Sequence, residues 1–371
     1  MESLMDSQIK ELEQLHQRAD ELVILMRFQG TPSLLEGVTV SQEGALDVIK
    51  KVASKLLDII YRSFDRILGL ITGTRNQAEN RIVTAKALLN RIDDLPPMKS
   101  SIVLNVPDAT YLTVTGDTPN PMDMVKGLDK MRSVFTTEAI DNMEFSTRII
   151  DKLFPKIDTI LNRFDSLQAG DVTFLTQSIT DDVFQLRKKY LSGKHLKPAK
   201  EIHHYTSGLM LGIVEVEYKA APIAEADLRS TNYKLTGVLD SLMESRGYLK
   251  NHTDDNSTSY DVLAADPKAQ RVLLEKSIQL LTTVTQFHVR YYKQIEFYRK
   301  KIKYYRNVYN NLSRDNQNDE SKVYLRKLSR VLHTLNRWIY APAIPLQSHA
   351  IKTANGIIQY CQRSQTAIKK Q

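Results

Sequence analysis

The chain has 371 residues, of which 42% are apolar and 25% charged, and its formal net charge is +8 at pH 7. This composition argues against intrinsic disorder and supplies enough apolar side chains for a sizeable core, in one large domain or several ordinary ones. The low numbers of glycine (14) and proline (12) favour long uninterrupted helices over an all-β or loop-rich fold.

Cysteine content and hydropathy exclude several further classes. Cys361 is the only cysteine, so the chain has no intrachain disulfide and too few thiolates for a cysteine zinc site. The N-terminus is acidic, unlike a secretory signal, and no apolar run approaches the roughly 20 residues that span a bilayer. We therefore expect synthesis in a reducing cytoplasm and no transmembrane segment.

An amphipathic, detachable helix is predicted over residues 2–28. Its apolar residues recur at helical spacing, at Ile9, Leu12, Leu15, Leu22 and Leu25. Gly30-Thr31-Pro32 supplies a stop.

The same spacing rules predict a second, much longer helix from about Ser41 to Asp94, which Pro96-Pro97 must end because neither ring nitrogen can donate a helical hydrogen bond. Its seam alternates steps of three and four residues, at Ile49, Val52, Leu56, Ile59, Ser63, Ile67 and Leu70.

The loop between these two helices has the features of a processing site. It carries the only two Glu-Gly junctions in the chain, Glu36-Gly37 and Glu43-Gly44. Glycine and proline make such a loop exposed and extended enough to enter a protease groove. Residues 1–43 hold eight acidic and three basic side chains, a net charge of −5, so their removal would leave the chain at +13.

Short β-branched segments follow the long helix. Residues 102–106 and 111–115 predict a β-hairpin, and residues 172–176, 201–206 and 209–218 predict further strands, all within one small sheet of four or five strands. A helix over residues 121–168, capped by Asn120 and kinked at Pro155, is expected inside this region.

Helical periodicity returns after Pro222. It predicts helices near 223–250, 266–312 and 319–365, with a polar loop from Thr253 to Tyr260. The predicted fold is therefore α+β and predominantly α-helical, with long helical hairpins or a bundle and a small inserted sheet. The predicted units are residues 1–43, 44–98, 99–220 and 221–371.

Residues 286–330 form a basic, tyrosine-rich segment. They hold twelve Lys or Arg against four acids, a net charge of +8 that equals the excess of the whole chain. Such a stripe attracts polyanions without base-edge contacts, so nonspecific double-stranded DNA is the candidate ligand, and a solvated face that only keeps the protein soluble is the alternative. The candidate nucleic-acid-binding residues are Arg290, Lys293, Arg299, Lys300, Lys301, Lys303 and Arg306.

The tyrosines of this segment are predicted to pack in the core rather than to stack on bases. They belong to a row with steps of four and three residues, made of Tyr291, Ile295, Tyr298, Ile302, Tyr305, Tyr309 and Leu312. Helical periodicity of this kind is typical of a packing seam.

The chain carries no catalytic motif with the required spacing. The chain lacks a phosphate-binding loop, a dinucleotide fingerprint, a zinc-protease motif and a nucleophile elbow. His203 and His204 are adjacent in a predicted strand and would point to opposite faces. The paired carboxylates Asp93-Asp94, Asp181-Asp182 and Asp254-Asp255 lie at predicted helix ends or in polar loops. We predict no catalytic residue, no metal site, no cofactor and no small-molecule substrate, with Cys361 as a buried apolar residue.

Leu34-Leu35-Glu36 and Ser41-Gln42-Glu43 are similar to the recognition patterns of phage prohead proteases, which cut after Glu. With its cleavable N-terminal segment, long helices, β insertion and basic C-terminal helices, most of the chain resembles internal head proteins and related virion structural proteins of large tailed bacteriophages. The resemblance implies a non-enzymatic protein trimmed after Glu36 or Glu43 and kept inside the phage head. The implied partners are the capsid shell, the prohead protease and packaged DNA.

Other classes stay open. A cytoplasmic helical scaffold or peripheral membrane-surface protein would direct the basic helix at anionic headgroups. An enzyme would need a site assembled from distant residues of the β insertion. The seams at 49–70 and 291–312 are compatible with pairing within one chain or in a homo-oligomer.

Overall fold

The computed structural model describes residues 2–28, 42–98, 100–106, 111–112, 120–162, 185, 188–189, 191–192, 196–198, 205–211, 214–220, 246–251, 260–311 and 319–370. Helices dominate this part of the chain, beside a few short antiparallel strands, so the predicted helix-rich α+β class is confirmed. The helices are α1 (Glu2–Phe28), α2 (Gln42–Leu89), α3 (Pro121–Val134), a π-helical segment (Phe135–Ile140), α4 (Asp141–Asn162), α5 (Pro267–Asn311), α6 (Asp319–Tyr340) and α7 (Ala343–Lys369).

The two long helices α2 and α5 lie antiparallel in the core. Three polar contacts define their register, namely Ser54–Asn310, Asp58–Arg306 and Asp65–Arg299. The predicted seam of α2 is confirmed, since Leu56, Ile67 and Leu70 have no exposed surface. Burial of such rows provides the main favourable free energy for helices of this length.

On its other side α5 is flanked by α3, the π-helical segment and α4, which run parallel to it. Asn120 caps α3 as predicted, because its Oδ1 accepts a hydrogen bond from the Asp123 amide at 3.0 Å. Contacts of Asp129 with Lys276 and of Asp158 with Tyr305 lie before and after the π-helical segment, so the parallel register continues across it. The rest of the helix predicted to residue 168 lies outside the described residues.

The predicted single helix over residues 319–365 is wrong, because this stretch holds two helices, α6 and α7. Pro342 separates them, and a proline at this point cannot donate the next helical hydrogen bond. The Asn142 side chain instead donates to the carbonyl oxygens of Trp338 at 2.6 Å and Ala341 at 3.2 Å, which satisfies the end of α6.

The strands of the described residues form two separate sheets rather than the predicted single one. Their bounds are β1 (Val103–Val106), β2 (Lys197–Pro198), β3 (Tyr205–Leu211), β4 (Val214–Ala220), β5 (Arg246–Asn251) and β6 (Tyr260–Leu263). One sheet contains β1 and β6, and the other has the order β2-β3-β4-β5, with every pair antiparallel.

Several local predictions in the β region are therefore wrong. In place of the hairpin predicted for 102–106 with 111–115, β1 pairs with β6, and Tyr111 and Leu112 lie in a turn, while residues 107–110 and 113–115 lie outside the described residues. The strand predicted over 209–218 is divided between β3 and β4. The helix predicted over 223–250 ends in residues that belong to β5, and Tyr260 begins β6 instead of ending a loop. The strand predicted at 172–176 and residues 201–204 lie outside the described residues.

Candidate polyanion interface and processing segment

Two arginines of the predicted nucleic-acid-binding set face acidic residues of α2. Arg306 Nη1 lies 2.5 Å from Asp58 Oδ1, and Arg299 forms an ion pair with Asp65. The ring of Tyr61 lies between the two pairs, with its centroid 5.9 Å from each guanidinium carbon. A paired guanidinium has less charge available for an external polyanion, so this flank of α5 is largely neutralised.

The opposite flank of α5 faces acidic residues of α4. Lys301 Nζ lies 2.7 Å from Asp158 Oδ2, and Arg290 Nη2 lies 3.4 Å from Glu144 Oε2. These acids are far away in the sequence, so a count of charges along residues 286–330 misses them. The structure places the seven candidate residues on one helix but divides them among two paired flanks and an outer face.

The tyrosine seam is buried, which confirms the packing prediction for Tyr291, Tyr298 and Tyr305. Their hydroxyl oxygens lie 3.4, 3.2 and 3.3 Å from backbone carbonyl oxygens spaced seven residues apart, those of Ile140, Thr147 and Phe154, and the hydroxyls of Tyr298 and Tyr305 also lie 2.7 and 3.1 Å from carboxylate oxygens of Asp151 and Asp158. Burial raises the pKa of Tyr291 to about 12. Burial, together with the carboxylates of Asp151 and Asp158, also raises the pKa of Tyr298 and Tyr305. These phenols are fixed as neutral donors, and the seam offers no stacking platform.

The outer face of α5 presents what remains for an external ligand. We name as the outer stripe Lys293, Phe297, Lys300, Lys303 and Tyr304. Phe297 is 49% exposed and Tyr304 is 45% exposed. Lys293 and Lys303 are exposed and make no ion pair with the described residues, whereas Lys300 pairs with Glu296 at 3.2 Å while its side chain stays 67% exposed. The two aromatic residues were not among the predicted site residues, although their helical spacing from Lys293 sets them apart from the seam.

The predicted processing junctions fall in different places. Glu36 and Gly37 lie outside the described residues. Glu43 and Gly44 lie in the first turn of α2 and not in a loop, which corrects the prediction for this junction. Amides of a first helical turn lack intrahelical partners, so this end can fray more easily than the middle of the helix.

The N-terminal helix α1 is packed into the body. Leu12 and Ala19 have no exposed surface, and Val23 is 2% exposed. The helix contacts α2, α6 and α7. An apolar face of this kind would remain bound after a single cut in the chain, since a cut removes a covalent bond but not the buried contacts.

Acidic residues of α1 pair with basic residues of the body. Glu11 lies 2.8 Å from Arg66 of α2, Asp20 lies 2.7 Å from Arg337 of α6, and Asp6 lies 2.9 Å from Lys352 of α7. None of these three cations belongs to the predicted nucleic-acid-binding set. If α1 masks a basic surface, that surface is on α2, α6 and α7 and not on α5.

A buried histidine pair completes the junction of α1 with α6. His16 Nε2 lies 2.8 Å from Asn336 Oδ1, and His333 Nε2 lies 2.9 Å from Asp20 Oδ1. Burial lowers the pKa of His16 to about 3 and also lowers the pKa of His333. Each imidazole is therefore neutral at pH 7 and donates from Nε2 to the oxygen beside it.

Among the residues that the structure describes, the remaining candidates give no assembled catalytic site. Cys361 is fully buried, and burial raises the pKa of its thiol. Within the part of the chain described here, no group of three or more His, Cys, Asp or Glu side chains is arranged to hold a metal ion. His203, His204, Asp181-Asp182 and Asp254-Asp255 lie outside that part. None of its helices combines the length and apolar character needed to cross a bilayer.

Comparison with known proteins gives no relative from which a function can be transferred. No protein family, no curated protein and no solved structure matches this chain. The function therefore has to be argued from the residues themselves.

Proposed function

We propose that the chain is a non-enzymatic structural protein of a phage virion, an internal head protein that the prohead protease trims after Glu36 or Glu43. It would reside inside the head beside packaged double-stranded DNA or the inner capsid shell. The observation that carries this proposal is the attachment of α1. An acidic N-terminal helix is held on basic side chains of the body, with the Glu36-Gly37 junction between this helix and α2 and the Glu43-Gly44 junction in the first turn of α2.

This arrangement gives trimming a physical consequence. Cleavage would convert α1 from a covalently attached helix into a bound peptide, whose retention then depends on concentration and salt. Its loss would remove the acids that pair with Arg66, Arg337 and Lys352 and raise the net charge of the remaining chain toward +13. A surface with that charge is attracted to DNA phosphates.

The proposal is tested by intact-mass spectrometry and N-terminal sequencing of the protein from its native particles. We expect a chain that begins at Gly37 or Gly44. Replacement of both Glu36 and Glu43 by Gln should leave the chain uncut, whereas Glu11→Gln, which changes charge outside the junctions, should leave cutting unchanged. An intact chain from Met1 in mature particles would overturn the processing role.

A second candidate function is a helical scaffold or peripheral protein of a membrane surface. It is favoured by the outer stripe, where exposed aromatic rings lie beside lysines, a combination also suited to anionic headgroups. Sedimentation with vesicles of mixed neutral and anionic phospholipid separates the two functions. Strong co-sedimentation of the full chain, together with no binding to DNA, would favour the membrane candidate.

A further inference from the structure

The outer stripe of α5 alternates positive and aromatic side chains along one face. Lys293, Phe297, Lys300 and Tyr304 follow one another in steps of four, three and four residues, and Lys303 lies beside them. At 1.5 Å rise per residue the stripe is about 16 Å long, and its two rings are separated by about 10 Å along the axis. The helix is continuous over this length, so the spacing is built into the backbone.

Both rings are supported from the side of the body. The Phe297 ring centroid lies 6.3 Å from that of Phe154, and the Tyr304 centroid lies 5.8 Å from that of Tyr305. Lys301 Nζ lies 5.8 Å from the Tyr304 centroid. Rings supported in this way and about half exposed lose little conformational freedom when a planar group stacks on them.

The cations on either side of the stripe are paired with acids of neighbouring helices. On one side Arg299 and Arg306 are paired with acids of α2, and on the other side Lys301 is paired with Asp158. The lysines of the stripe therefore supply the positive charge of this outer face. A ligand that follows the stripe meets cation, ring, cation and ring in turn.

We propose that the outer stripe binds single-stranded nucleic acid, with lysines on phosphates and the rings of Phe297 and Tyr304 stacked on bases. Unpaired bases offer π-faces between regularly spaced phosphates, which matches the alternation of the stripe. In a duplex the faces are already stacked on neighbouring base pairs. Anionic headgroups could also meet these lysines, but Lys300 lies between the rings and interrupts the apolar area that would enter a bilayer, which favours unpaired bases as the ligand. This inference does not depend on the proposed virion location or on trimming.

The test uses the full chain and fluorescence anisotropy with labelled oligothymidylate, oligouridylate and a duplex of the same length. Phe297→Leu and Tyr304→Leu keep apolar surface but remove the π-face, so each should weaken single-strand binding by roughly tenfold. Tyr304→Phe keeps the ring and should bind like the parent chain. The exposed apolar residue Val83 on α2 offers a control, and Val83→Ala should also bind like the parent.

The lysines are tested by the salt dependence of the same binding. Changing Lys293, Lys300 and Lys303 to Gln should reduce the slope of log affinity against log salt by about 2, because each single-strand phosphate contact contributes about 0.7. Lys86→Gln on α2 removes one exposed charge elsewhere and should leave the slope unchanged. Circular dichroism of every variant checks folding, which exposed substitutions are expected to preserve.

The outcomes separate the possible ligands. Single-strand affinity that survives both leucine substitutions would overturn stacking. Equal affinity for the duplex with no effect of the ring variants would show charge binding alone and overturn the proposal. Binding to vesicles of anionic phospholipid with none to oligonucleotides would overturn it in favour of a membrane surface. A difference between oligothymidylate and oligouridylate would show which strand the stripe prefers, as the combined effect of the sugar 2′-hydroxyl and the 5-methyl group of thymine.

Discussion

At the scale of single residues, buried polar groups hold α5 and α1 in register with their neighbours. The phenols of Tyr298 and Tyr305 each contact both a backbone carbonyl and a carboxylate of α4. The neutral imidazoles of His16 and His333 form hydrogen bonds that likewise hold α1 in register with α6. Because a buried polar atom costs free energy when its partner is removed, these residues should affect stability more than the exposed cations do.

Removal of the Tyr298 hydroxyl should destabilise the chain. Tyr298→Phe keeps the ring but leaves Asp151 without the 2.7 Å hydrogen bond that the phenol donates. We expect a loss of about 1–2 kcal/mol in the free energy of unfolding, measured by urea denaturation. Tyr304→Phe, at an exposed position, is the matched control and should change it by less than about 0.5 kcal/mol. Equal effects of the two variants would contradict the stabilising role of the buried Tyr298 hydroxyl.

Because His16 is buried as a neutral imidazole, we expect the free energy of unfolding to decrease at acid pH. The folded pKa of His16 is about 3, below the ordinary value of 6.5, so the unfolded chain binds the additional proton as the pH falls from 6.5 toward 3. Stability is full above pH 6.5 and decreases below it, by up to about 1.4 kcal/mol per pH unit for this residue. His16→Gln should flatten that dependence in unfolding measurements between pH 8 and 5. A variant with the parent's pH dependence would show that His16 does not titrate on unfolding.

At the scale of elements, the apolar and the ionic contacts of α1 have different roles. The buried side chains Leu12 and Ala19 supply affinity, while the contact of Asp20 with Arg337 and His333 selects the register. The Glu11–Arg66 pair is about half exposed on both sides and should contribute little.

The contributions of these two kinds of contact can be measured as the retention of α1 on a chain that has been cut between α1 and α2. A laboratory protease site inserted between α1 and α2 should yield α1 that co-elutes with the body in size-exclusion chromatography at low salt. Asp20→Asn should weaken retention by roughly 1–2 kcal/mol, since it removes the carboxylate charge that Arg337 faces, and the 38% exposure of Asp20 limits the cost. Glu11→Gln should retain α1 like the parent. Immediate loss of α1 from the unmodified nicked chain would contradict the packing argument.

The elements also show what can be inferred from a single sequence. The helices α1, α2 and α5 agree with prediction because each carries a sustained apolar period, which is local information. The partner of β1 could not be inferred, since β6 lies far along the chain and strand patterns do not specify pairing. The lack of information about contacts between distant residues also affected the prediction of the nucleic-acid-binding site. The acids that neutralise Arg299 and Arg306 belong to α2, so charge counting along α5 overestimated the basic surface.

At the scale of the whole molecule, ion pairs with neighbouring helices leave few of the seven predicted cations of α5 available. The outer stripe contributes three lysines, and the contacts of α1 cover Arg66, Arg337 and Lys352. Removal of α1 would add these three cations to the three of the stripe. DNA binding should therefore depend on the state of α1 and not on the composition of α5 alone.

The salt dependence of duplex binding distinguishes these arrangements. Each duplex phosphate contact contributes about 0.9 to the slope of log affinity against log salt. Engagement of all seven predicted cations of α5 would give a slope near −6, whereas the outer stripe alone would give one near −3, and we expect the smaller value for the intact chain.

After α1 is cut off and removed, the slope should steepen by up to about 3 and affinity at low salt should rise. Arg66→Gln and Lys352→Gln should reverse that gain in the trimmed chain but leave the intact chain unchanged. A trimmed chain that binds duplex DNA no better than the intact chain would contradict the masking role of α1, while a slope near −6 before trimming would show that the ion pairs of α5 open on DNA.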